Sequence, residues 1–138
     1  MPKIANEIVE SLWFRIHSLL VEFENKLTRI QPELIHDVGR SKTGAFPLRA
    51  FLAFRRRNDG EEIAITIDLY ERYEKIIIEA SSCKDDGKMI AMGPSSALLT
   101  SDKGLSDEIE IDGWLSQFEQ WLIGIQSSVA LECSSLTW

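Results

Sequence analysis

The chain has little with which to do covalent or metal chemistry. Its 138 residues include two histidines, His17 and His36, and two cysteines, Cys83 and Cys133. The cysteines are far apart and lack C-x-x-C spacing, which excludes a zinc knuckle and a dithiol redox motif. Unpaired thiols fit a reducing compartment, so cytoplasmic residence is expected. Neither histidine has a Cys, Asp or Glu at zinc-ligand spacing. The loop-like run Gly39-Arg40-Ser41-Lys42-Thr43-Gly44 is followed by Ala45 and Phe46, where a phosphate loop would place a lysine and a hydroxyl residue. Ser41, Thr43, Ser81, Ser82 and Cys83 are nucleophiles by type alone, with no base and orienting group in a recognisable context. No catalytic, cofactor-binding or metal-ligating residue is therefore expected. No apolar run reaches the ~20 residues that span a bilayer, and the N-terminus becomes charged at Lys3 and Glu7, too early for a signal peptide. Cationic residues are also in deficit: 15 Lys+Arg against 22 Asp+Glu give a formal charge of -7. That balance disfavours non-specific binding to nucleic acid and favours a basic partner.

What the chain does have is the composition of one compact domain. Hydrophobic residues make up 44% and charged residues 27%, which excludes the disordered and low-complexity classes. A chain of this length buries roughly two-thirds of its unfolded surface. No internal repeat or composition shift marks a linker, so residues 1–138 are expected to form a single domain.

Ile4, Ile8, Leu12, Ile16, Leu19, Leu20, Phe23 and Leu27 recur by threes and fours, predicting one long amphipathic helix. Pro32 breaks it before a short second turn around Leu34 and Ile35, and residues 39–44 read as a loop.

Residues 48–93 carry the strongest pattern. A first strand over 48–55 turns at Asn58-Asp59-Gly60 into Glu62-Ile63-Ala64-Ile65-Thr66-Ile67-Asp68-Leu69-Tyr70, whose alternation marks a strand with one buried face. A two-residue Asp59-Gly60 turn sets Ala50, Leu52 and Phe54 on the face of Ile65, whereas a three-residue turn substitutes Phe51 and Ala53. The former face is larger and more continuous. A strand over 75–83, with Leu69 opposite Ile76, aligns Ile67 with Ile78. Lys84-Asp85-Asp86-Gly87-Lys88 fits a type I turn with a glycine bulge, which would put Ile90 and Met92 on the buried face. Pro94 should end pairing or move it to a sheet edge, with a further short edge strand over 95–100. A polar connection over 101–112 then leads to a helix capped by Asp112, its apolar face formed by Trp114, Leu115, Phe118, Trp121, Leu122, Ile125 and Val129.

The fold class expected is α+β: a four- to five-stranded antiparallel β-meander packed on one face by the N-terminal and C-terminal helices, the other face partly wet. The preferred register gathers Phe51, Thr66, Asp68, Tyr70, Ile77 and Glu79 on that outer face. Of these, Phe51, Asp68, Tyr70, Ile77 and Glu79 are the candidate partner-binding residues, mixing aromatic anchors with acidic steering groups. The cluster Arg55-Arg56-Arg57 ends a hydrophobic strand beside Asp59, Glu61 and Glu62. It reads as a guard against edge-to-edge aggregation, with a phosphate or RNA contact as the alternative.

The stretch Asp59-Gly60-Glu61-Glu62-Ile63-Ala64-Ile65-Thr66-Ile67-Asp68, then Ile76-Ile77-Ile78-Glu79-Ala80, then Asp85-Asp86-Gly87-Lys88-Met89-Ile90-Ala91-Met92-Gly93-Pro94, resembles the TriTu-type immunity proteins of bacterial polymorphic-toxin and contact-dependent growth inhibition systems. The resemblance continues into Trp114-Leu115-Ser116-Gln117-Phe118-Glu119. It implies a cytoplasmic antitoxin, not an enzyme, that binds one cognate toxin with a basic surface, often a nuclease, and occludes its active site; a monomer is favoured over an oligomer. The alternative from another class is an acidic type III secretion chaperone binding an effector segment. Such chaperones usually dimerise and place a helix between strand groups.

Overall fold

A computed structural model describes residues 6–42, 46–72, 75–98, 100–101, 104–105 and 108–136. The periodic N-terminal segment is helix α1, Asn6–Ile30. Its buried stripe is Val9, Leu12, Ile16, Leu20, Phe23 and Leu27, with Leu19 packed against it; Ile4 lies outside the described residues. Each fully buried aliphatic or aromatic side chain contributes ~1.5–3 kcal/mol, so this face rather than helix propensity holds α1 in place. The helix ends as Gln31 N–H closes a last bond to Leu27 O at 2.9 Å, and Leu34 N–H then bonds Gln31 O at 3.2 Å to turn the chain.

The segment read as a turn and loop is instead a strand, β1, Ile35–Ser41. It pairs antiparallel with β2, Leu48–Arg55, Val38 standing opposite Leu52. The reason it escapes a period-2 reading is chemical. Of its helix-facing residues His36, Val38 and Arg40, only Val38 is apolar, and the other two are held by polar contacts to α1. His36 Nδ1 lies 2.6 Å from Glu24, Arg40 lies 2.9 Å from Glu10, and the Arg40 guanidinium sits 5.3 Å from the centre of the Trp13 ring. Polar inward positions of this kind suit an edge strand.

Strands β3, Glu62–Arg72, β4, Lys75–Lys84, and β5, Met89–Leu98, complete an antiparallel sheet in the order β1-β2-β3-β4-β5. The face chosen for the first hairpin is correct: Ala50, Leu52 and Phe54 stand opposite Ile67, Ile65 and Ile63. The connection is longer than a two-residue turn, because pairing stops at Arg55 and Glu62 and residues 56–61 form the loop. Within it Gly60 N–H donates to Arg57 O at 3.0 Å. The next hairpin is also slid by two residues, with Leu69 opposite Ile78 rather than Ile76. Slips of two leave every side chain on its own face. Ile63, Ile65, Ile67, Ile76 and Ile78 are accordingly all buried to 1% exposure or less, which defines the core face.

Bulges are what the pattern could not carry. The Lys84-to-Lys88 turn forms as expected, with Gly87 at φ +84° and its N–H donating to Lys84 O at 2.9 Å. Pairing then jumps from Cys83↔Met89 to Ser82↔Ala91, and again between Ser81↔Met92 and Glu79↔Ser95, so β5 carries two extra residues. Ile90 and Ala91 pack against the core, but Met92 is turned outward and is 70% exposed, against the expectation that it is buried. Pro94 does lie on a sheet edge, one of the two outcomes expected: β5 is the edge strand and pairing continues through Pro94 to Leu98, taking in most of the separate strand expected over 95–100. Gly93 makes the second bulge possible, since a Cβ there would lie 2.6 Å from Ala80 O. A Gly93→Ala variant should therefore lose ~1–3 kcal/mol, read as a lower urea midpoint. Backbone sits on the far side of the clash and has no rotamer to yield.

The connection over 101–112 contains a two-residue ladder, β6, Thr100–Ser101, with β7, Gly104–Leu105, and the start of α2, Glu108–Ser134. Asp112 is therefore not a cap; it lies inside α2 and accepts the Arg15 guanidinium of α1. Trp114, Leu115, Phe118, Leu122, Ile125, Val129 and Cys133 form the buried face of α2, and Leu136 beyond it is buried too; Trp138 lies outside the described residues. Helix α1 packs over β1 and β2, α2 over β5 and β3, and the helices meet each other. Both cover the isoleucine face. The fold is α+β, as the pattern predicts.

Candidate binding face

Alternation puts every second strand residue on the side away from the helices, and the register reads that side as rows across the sheet. Gly39, Phe51, Thr66, Ser81 and Met92 form the middle row, and Arg49, Asp68, Glu79 and Ser95 the next. Beside that row Tyr70 stands opposite Ile77, which stands opposite Ala97; on the other side lie Ala53, Ala64, Cys83 and Met89. The five residues expected to bind a partner, Phe51, Asp68, Tyr70, Ile77 and Glu79, are thus brought together on β2, β3 and β4, all half-buried.

Each is held by neighbours. The Phe51 ring lies across Gly39, where a Cβ would come within 2.6 Å of the ring edge. Thr66 and Ser81 share a hydroxyl hydrogen bond of 3.2 Å. Asp68 accepts the Arg49 Nε–H at 3.0 Å, and the same guanidinium stacks 4.2 Å from the centre of the Phe46 ring. Phe46 in turn tilts against Tyr70 at 5.4 Å. The Tyr70 phenol is pushed above its ordinary value, first by loss of hydration and then by the charge of Glu79 and the hydrogen bond to it, while Arg72 pulls the other way. It stays a neutral hydrogen-bonding group well above neutral pH.

Asp68 and Glu79 are direct cross-strand partners. Like charges in that position repel. Arg49 neutralises Asp68 from one flank, whereas Glu79 forms no ion pair among the described residues and leans on the Tyr70 hydroxyl.

Sequence reasoning missed Arg49 and Phe46, which clamp Asp68 and Tyr70, and assigned Met92 to the core. Arg49 was legible, because it alternates with the inward Leu48 and Ala50. Met89 and Met92, 47% and 70% exposed, give the β5 side of the face an apolar, adaptable rim. The net acidity is not on this face: Asp37, Glu62, Asp68 and Glu79 are matched by Arg49, Arg55, Arg72 and Lys75. Helix α2, by contrast, contains five carboxylate residues and no basic one.

The triple-arginine cluster disperses. Arg57 pairs with Asp59 at 3.1 Å, in line with the neutralisation expected, and Arg55 stands opposite Glu62. Arg56 turns inward, its side chain only 8% exposed, to reach Glu33 at 3.2 Å and the Cys133 carbonyl at 3.1 Å. The three do not present one surface to a phosphate backbone. Cys133 is fully buried, and burial above all pushes its thiol up to about 12, with Arg56 easing and Glu132 adding to the shift.

Comparison with family models, with curated proteins and with solved structures finds no match to this chain. No helix among the described residues is long and apolar enough to cross a membrane.

Proposed function

We propose that this protein is an immunity protein that binds a cognate bacterial toxin domain in the cytoplasm, a nuclease with a basic cleft, and blocks its active site with the outer face of the sheet. The observation that carries the reading is the opposed pair Asp68 and Glu79, set between aromatic Tyr70, apolar Ile77 and exposed Met92, on a face that neither helix covers. With Asp68 paired to Arg49, Glu79 beside it offers its carboxylate to one lysine or arginine of a partner. The surrounding rings and methionines supply the desolvated rim that makes such a contact strong. An uninterrupted meander also favours this reading over a secretion chaperone, since among the described residues no helix separates its strands.

Co-expression with the C-terminal region of the neighbouring gene's product tests the proposal. The intact protein should restore growth and co-purify with the toxin; neither rescue nor co-purification would reject the immunity reading. Asp68→Lys with Glu79→Lys, or Ile77→Asp alone, should weaken binding by about thirtyfold or more, the size of a ~2 kcal/mol hot spot. If rescue is intact but both variants bind as tightly as the parent, the toxin docks on another surface.

A further inference from the structure

The chain has two cysteines and three methionines. Met1 lies outside the described residues, and Cys133 is sealed in the core. The other three, Cys83, Met89 and Met92, come together on the outer face at its β5 edge. Cys83 is a half-buried free thiol, and Met89 is its direct partner across the β4–β5 ladder. Directly opposed side chains have Cβ atoms ~4.5–5.5 Å apart. The next outward pair along the ladder is Ser81↔Met92, which makes Met92 the diagonal neighbour of Cys83, ~7–8 Å away and within reach of a long side chain. The bulge makes this cluster. Residues three apart on a regular strand point to opposite faces, but the residue added between Cys83↔Met89 and Ser82↔Ala91 turns both thioethers to the side of the thiol. Met89 and Met92 are both exposed, so neither sulfur is taken up by core packing.

We propose that Cys83, Met89 and Met92 form a three-sulfur site for a soft monovalent metal ion, Cu(I), at the rim of the outer face. Thiolate and thioether ligands select Cu(I), whereas Mg, Ca and Mn take oxygen donors, and Zn(II) takes thiolate, imidazole or carboxylate rather than thioether. No group of three or more His, Cys, Asp and Glu among the described residues is placed to hold a harder ion. The charges also balance. The Cys83 thiol gives up its proton as the metal binds, and one thiolate with two thioethers around Cu(I) is neutral, so a half-buried position carries the bound ion at little desolvation cost. Methionine has three rotatable bonds and a polarizable sulfur, which lets both thioethers adjust to one ion. The bound ion would tie β5 to β4 across their irregular pairing. The site uses none of Asp68, Tyr70, Ile77 and Glu79, so it stands apart from the immunity reading.

Anaerobic titration of the full chain with Cu(I) against a chromophoric Cu(I) chelator tests the proposal. About one equivalent should be withdrawn from the chelator, and bound Cu(I) should raise the midpoint of thermal unfolding. Cys83→Ser should remove the binding. Met89→Leu and Met92→Leu keep the apolar volume at exposed positions, so the circular dichroism should be unchanged. Each should weaken binding about tenfold or more, no less than the loss of an outer-shell partner costs. Excess Zn(II) should not displace the copper. The proposal is overturned by a parent protein that takes no copper from the chelator or by displacement with Zn(II). It is equally overturned if both methionine variants bind as tightly as the parent, since the thiol would then be acting alone.

Discussion

Trp114→Ala is expected to destabilise the fold by ~3–5 kcal/mol, the loss typical of a large aromatic removed from a packed core. Against the 5–15 kcal/mol that hold typical domains together, such a loss leaves much of the chain unfolded on mild heating. The indole is 1% exposed and stacks on Phe118 with centroids 5.0 Å apart and planes 11° from parallel; Phe118 stacks on Trp121 in turn. Its N–H donates to Pro94 O at 3.0 Å. That bond joins α2 to β5 at the bulge, where the β4–β5 register is interrupted around Ala80. Trp114→Phe separates the two contributions. It keeps most of the apolar area but leaves the Pro94 carbonyl without this donor, at a further cost of ~1–2 kcal/mol. Urea denaturation of the parent and the two variants checks the split, and a Trp114→Phe midpoint equal to the parent's would show that the hydrogen bond adds nothing.

The same bond connects stability to the binding face. Met92 points outward because β5 gains a residue between the Cys83↔Met89 and Ser82↔Ala91 pairs, and the Trp114 bond lies at the second extra residue, just beyond Met92. Loosening it frees β5 to slide, and a slip by one residue would exchange Met92 for a neighbour on the outer rim. Trp114→Phe is therefore expected to weaken partner binding without touching the face.

Legibility in the sequence followed burial. The isoleucine strands were readable because Ile63, Ile65, Ile67, Ile76 and Ile78 all turn to one side, and a slip of two in pairing changes none of that. Phe51, Asp68, Tyr70, Ile77 and Glu79 could be placed on the opposite face for the same reason. Strand β1 could not be read, since Val38 is its one apolar helix-facing residue and polar contacts to α1 hold the rest. Met92 was misplaced because a bulge adds a residue without a reliable local signature. Ser82 shows the limit from the other side: it is fully buried in the core face with no partner for its hydroxyl among the described residues, and its type predicts surface. Arg56 was hidden by its neighbours, because three consecutive arginines look alike until the chain turns one of them inward.

Arg56→Ala should cost ~2–3 kcal/mol, far more than a surface arginine. Helix α2 has no basic residue in its last turn, so the negative end of its dipole depends on groups from elsewhere in the chain. Arg56 supplies one, its Nε–H donating to Cys133 O, while Gln31 donates to Ala130 O at 2.7 Å and Lys84 pairs with Glu132 at 3.5 Å. Removing the guanidinium leaves the Cys133 carbonyl without that charge and Glu33 without its partner. Water can reach Glu33, whose side chain is 34% exposed, which keeps the cost below that of breaking a fully buried pair. Arg56→Met retains the apolar stem and should recover part of the loss, isolating what the charge contributes. A second readout follows from Cys133. Buried, and with its thiol pushed up to about 12, it is protonated and shielded at neutral pH, so iodoacetamide should modify Cys83 first in the parent protein. In Arg56→Ala the last turn of α2 opens more often, and Cys133 labelling should accelerate relative to Cys83 under conditions where the fold is still intact. If both thiols keep their parent rates, the α2 terminus is held by Gln31 and Lys84 alone, and Arg56 is a guard on the strand end after all.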